Sequence, residues 1–258
     1  MVEIFFGQSR GLLIPWLELL VFILIIIAFF QNMAFVRKFG KSAMGLFFIY
    51  ILAGTSTMAT IVAIILLFNL EILSISESTL MVWWHFIFYT GMTALLLGLH
   101  TMEKSMSSET ERTAGKYTLI ISIFVGFSLL IFTFAYFLNG WITSIIEGSL
   151  VDRMGIFHFI AFAFAILMAI KLFRIRSKFG SIIKNFIPAL FIFLISLSLI
   201  HLWELLAESW KVFTFEDSII ENVEQVFWLA AFAALNYGFF NIRKSLKKAL
   251  NLQENKIQ

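Results

Sequence analysis

The stretch LLIPWLELLVFILIIIAFF, residues 12–30, contains one charged residue in nineteen positions and decides how the rest of the chain is read. About twenty mostly apolar residues cross the hydrocarbon core of a bilayer as a helix. A soluble core helix keeps a polar face, and this one has none. Working outward, six further runs of the same character follow at Ala43–Leu67, Leu80–Leu99, Tyr117–Leu138, Gly155–Phe173, Phe186–Leu206 and Glu221–Phe240. The polar stretches between them are too short for a soluble domain. The sequence therefore predicts an all-α, polytopic integral membrane bundle of seven transmembrane helices, one domain over residues 1–258 that ends in a basic tail at 241–258.

Composition agrees. Of 258 residues, 60% are hydrophobic and 14% charged, against about 45–50% and 25% in soluble domains. That balance excludes a soluble enzyme and a disordered chain. The absence of cysteine excludes disulfides, thiolate nucleophiles and Cys-ligated clusters. Pro15 and Pro188 fall in the first turn of a span, where a missing N–H does little harm. The first run lacks a basic leader and a small-residue cleavage site, and reads as a retained helix.

Charge sets the expected direction. Sixteen of the 19 Lys and Arg lie around the ends of spans one, three, five and seven, leaving Arg10, Arg153 and Lys211 on the other side. By the positive-inside rule the N-terminus is outside and the C-terminus cytoplasmic. The basic residues thus face anionic lipid, and no nucleic-acid partner is expected. Twelve of the 16 acids, and all seven Trp, collect at the opposite end. The expected location is a multi-pass protein of a prokaryotic cell membrane, alone, as a homo-oligomer or with a membrane-complex partner.

Ionisable residues inside a span are costly and mark candidate sites. Here they are Glu18, His85, His158, His201, Glu204 and Glu224. Counted along their helices at 1.5 Å per residue, all six share one slab about 10 Å thick in the outer leaflet. Ser198, His201, Glu204 and Glu208 recur every three or four residues and form one stripe of a helix. Met81-Val-Trp-Trp-His85-Phe-Ile and Met154-Gly-Ile-Phe-His158-Phe-Ile read as a faint internal repeat. His100 falls at the other end of its span and reads as an interfacial histidine.

Three imidazoles with carboxylates suit Zn, Cu or Fe. The expectation is a transition-metal site used for metal handling, redox chemistry or sensing at the extracytoplasmic face. The same residues would also serve a proton- or ion-coupled transporter or relay, a haem-binding subunit or a membrane-embedded metal-dependent enzyme. Below the outer slab only hydroxyls of the second span and Asn236 are polar, which disfavours a through-path for a transported substrate. The seventh span has no lysine for retinal, and the paired histidines of ceramidase-type membrane hydrolases are missing. Gly155-Ile-Phe-His158-Phe-Ile resembles the Met-His-Phe element of bacterial MHYT sensor domains, with Trp84 and Phe157 where that element has Met. That resemblance implies copper near the outer face.

Overall fold

A computed structural model describes residues 13–40, 42–69, 72–73, 77–105, 155–178, 181–213 and 215–254. Among them there are no strands. The helices are α1 (Leu13–Phe39), α2 (Ala43–Asn69), α3 (Glu77–Ser105), α4 (Ile156–Ile175), the short α5 (Ser181–Lys184), α6 (Ile187–Glu204) and α7 (Asp217–Glu254). Five of these are long and apolar enough to cross a membrane: α1, α2, α4, α6 and α7. The counterpart of the expected span Leu80–Leu99, α3, is not among the five. Its 29 residues suffice in length to cross. The expected span Tyr117–Leu138 lies outside the described residues.

Most helices overshoot the apolar runs because nothing in the sequence stops them there. Rather than ending at Phe30, α1 continues until Gly40, whose φ of 54° is the left-handed conformation that closes a helix. Gly40 N–H donates to Val36 O at 2.9 Å. Ser42 then opens α2, its Oγ accepting from Gly45 N–H at 3.1 Å. At the other end of the chain, α7 does not stop at Phe240. Residues 241–254 continue it, with Ile242 and Leu246 held on the core side. At 1.5 Å per residue it is about 57 Å long, well beyond an apolar core of about 30 Å.

The six long helices close into a ring: α1 packs on α2, α2 on α3, α3 on α4, α4 on α6, α6 on α7, and α7 back on α1. Its outer surface is apolar, with Leu20, Ile23, Ile27 and Phe30 of α1 and Phe159, Leu167 and Phe173 of α4 turned outward. Polar side chains are inside, including Glu18, Asn32, His85, His158, His201 and Glu204. That inversion is what a lipid solvent selects.

The two ends differ. One is a stack of phenylalanines: Phe35 lies 5.1 Å from Phe48 and 5.7 Å from Phe239, and Phe186 lies 5.3 Å from Phe239. Here the chain is basic, and the Lys171 ammonium meets Glu103 Oε2 at 2.5 Å, tying α4 to α3. His100 also lies at this end, its Nδ1 3.9 Å from the Glu103 carboxylate. The other end holds the six described Trp, at positions 16, 83, 84, 203, 210 and 228. Both α3 and α4 begin at the Trp end, so the two helices run parallel.

Candidate metal centre

Three helices deliver side chains to one point near the Trp end. Of the stripe expected on this helix, Ser198, His201 and Glu204 are buried on the inner side of α6, whereas Glu208 falls in the turn beyond it and is half-buried. His201 and Glu204 are one turn apart, and His201 Nδ1 lies 2.6 Å from Glu204 Oε2. From α4, His158 Nδ1 approaches the same oxygen at 2.8 Å. One carboxylate oxygen thus joins two imidazoles that are 43 residues apart in the chain, with ring centroids 6.1 Å apart. With Nδ1–H donating on both rings, each Nε2 carries a lone pair. His201 Nε2 is buried with no hydrogen-bond partner among the described residues, as is Ser198 Oγ one turn before it.

The backbone around this group is irregular. Immediately after Glu204 the helix widens into a π-turn over Leu205–Ser209, with Trp210 N–H donating to Leu205 O at 2.9 Å. Such turns concentrate at functional sites. Against it sits Gly155, the N-cap of α4, with φ 63°. A β-carbon at Gly155 would stand 2.6 Å from Leu205 Cδ1 and 2.7 Å from Ser209 Cβ. Only glycine lets α4 start this close to α6, and that approach carries His158, three residues on, to Glu204.

Aromatic rings wall the group. Phe88 and Trp84 meet His201 edge to face with centroids 4.3 and 5.0 Å away, and Trp228 lies 6.5 Å from Trp84. The His85 ring packs 4.9 Å from His158 and 5.0 Å from Trp84. Tyr89, one turn after His85, donates its hydroxyl to Phe157 O at 2.5 Å and fastens α3 to the start of α4. Its i+4 spacing from His85 was the available signal for this role. The two histidines of the faint repeat are therefore neighbours on parallel helices.

His158, His201 and Glu204 each present one donor atom, all within 4.8 Å of one another, an arrangement that could hold a metal ion. Among the described residues His85, Glu18 and Glu224 stand outside that group. His85 touches it through its ring. Glu18 of α1 is buried, 3% exposed. Glu224 of α7 accepts from Trp228 Nε1–H at 3.2 Å, which turns this carboxylate toward its own helix.

Chemically, two nitrogens and one carboxylate oxygen are the donors that zinc, copper and iron accept. Around an ion with bonds of about 2.0–2.1 Å, tetrahedral ligand atoms stand roughly 3.3 Å apart. The present 2.6 and 2.8 Å contacts are hydrogen bonds that would open by about half an ångström as an ion displaced the shared protons.

None of the known family models, curated proteins or solved structures compared with the chain matches it, so the likeness of the His158 segment to the MHYT element gains no support there.

Proposed function

We propose that this chain is a multi-pass membrane protein whose function rests on a resident transition-metal ion held by His158, His201 and Glu204 in the outer half of the bundle. The observation that carries the reading is the meeting of both Nδ1 atoms on one oxygen of a buried carboxylate. Three polar side chains at 0–9% exposure inside an apolar ring are costly unless a charge partner compensates them. A dication supplies that partner. His85 is the next donor in reach, while Glu18 and Glu224 form the acidic surround. Close-packed rings on His201 suit a single ion better than a haem macrocycle. The same closure favours an ion that stays, in redox or sensing at the extracytoplasmic face, over one that passes through.

The test is metal analysis of the purified protein in detergent, incubated with Zn, Cu or Fe and desalted. About one ion per chain is expected for the natural sequence, and below a tenth of that for His201→Ala or Glu204→Gln. No retained ion in the natural sequence, with any of the three metals, refutes the reading. A Soret band would transfer the site to haem.

The hydrogen-bonded row His158, Glu204, His201 favours a second reading, a proton relay. It requires no bound metal and pH-driven flux in liposomes that the same substitutions abolish.

A further inference from the structure

At the phenylalanine end, α1 and α7 leave a pocket of about 240 Å³ lined by Ala34, Phe35, Lys38, Arg243, Leu246 and Lys247. Three cations from two helices converge on it and no acid lines it. None of the three makes an ion pair among the described residues, whereas Lys171 at the same end is paired. Three like charges around one pocket favour an anion there.

Each cation also caps an apolar stripe on its own helix. On α1, Ile23, Ile27, Phe30, Ala34 and Lys38 follow at spacings of four, three, four and four. On α7, Tyr237, Phe240, Arg243 and Lys247 follow at three, three and four. Ile23, Ile27, Phe30, Tyr237 and Phe240 are 42–64% exposed, so both stripes face the surrounding solvent, which for this bundle is lipid. Two greasy tracks lead to one pocket, apolar in its wall and bordered by three cationic residues.

We propose that this pocket is a binding site for an anionic glycerophospholipid, with the headgroup phosphate held by Lys38, Arg243 and Lys247 and the acyl chains lying along the outward stripes of α1 and α7. Basic pockets between membrane helices take phosphate headgroups in this way, and Arg adds bidentate geometry. A lipid there would brace the first and last described helices where they already pack together. The site is remote from the His/Glu group and independent of any metal.

The experiment is native mass spectrometry of the full chain in detergent, with phosphatidylglycerol, phosphatidylcholine of the same acyl chains, or inorganic phosphate. One retained phosphatidylglycerol per chain is expected. Its affinity should fall roughly tenfold or more in Lys38→Gln/Arg243→Gln/Lys247→Gln, and hold in the control Arg174→Gln/Arg176→Gln/Lys184→Gln at the same end. Equal retention of phosphatidylcholine, an unchanged pocket variant, or an equal loss in the control overturns the proposal. Displacement of the lipid by inorganic phosphate overturns the assignment to lipid and leaves a free-phosphate site. Single Lys38→Gln and Lys247→Gln variants, each with an intermediate loss, guard against misfolding of the triple variant.

Discussion

Glu204 is the residue on which the site turns, because both imidazoles depend on the same oxygen. Replacing it with Gln keeps the volume and removes the charge. Metal affinity should drop 10- to 100-fold, read by competition with a chromophoric chelator. Asn32 presents the opposite case. It is fully buried on α1, and both its amide atoms lack hydrogen-bond partners among the described residues. Its neighbour Gln31, by contrast, donates to Asn236 Oδ1 at 3.1 Å. An orphaned buried amide costs about 1–3 kcal/mol. Asn32→Leu should therefore raise the thermal midpoint in detergent and leave metal content unchanged; a lower midpoint would mean that the amide has a native role.

Between elements, the decisive geometry is the contact of the α4 start with the π-turn of α6. Among the described residues two glycines hold positive φ, Gly40 and Gly155, and the first has open space around its missing side chain. Gly40→Ala and Gly155→Ala each carry the left-handed penalty of about 1–2 kcal/mol. Only Gly155→Ala also drives a methyl into Leu205 and Ser209, so only that variant should lose metal stoichiometry, to less than half by elemental analysis. This contact was not legible in the sequence. Nothing in Leu205-Leu-Ala-Glu-Ser209 departs from good α-helix composition, and a left-handed Gly155 reads the same as any loop glycine. The stripe of Ser198, His201 and Glu204 was legible, because period alone puts them on one face. Which foreign ring would meet that face depends on how each helix rotates about its axis, and rotation is set by packing.

At the scale of the whole molecule, the helical character that the sequence predicts holds for the described residues, with apolar side chains outside and polar ones inside, since lipid enforces that pattern residue by residue. Helix ends were less legible: α1 and α7 run past their apolar runs because polar residues with good helix propensity carry on where the lipid stops. That the His/Glu end faces outward is our proposal, from the positive-inside bias of the sequence. The natural absence of cysteine makes this directly testable. Val212→Cys should react with a membrane-impermeant maleimide on intact cells, and Lys248→Cys only after permeabilisation. The reverse pattern would put the metal centre on the cytoplasmic side.

The aromatic wall has an optical consequence. Trp84 is 5.0 Å from His201 and in contact with Trp228, so two indoles sit beside the proposed ion. Copper(II), with an open d shell, would dim their fluorescence on binding, while zinc, with a filled one, would leave it largely intact. The protein then carries its own dye, and a single emission titration would name the class of ion it holds.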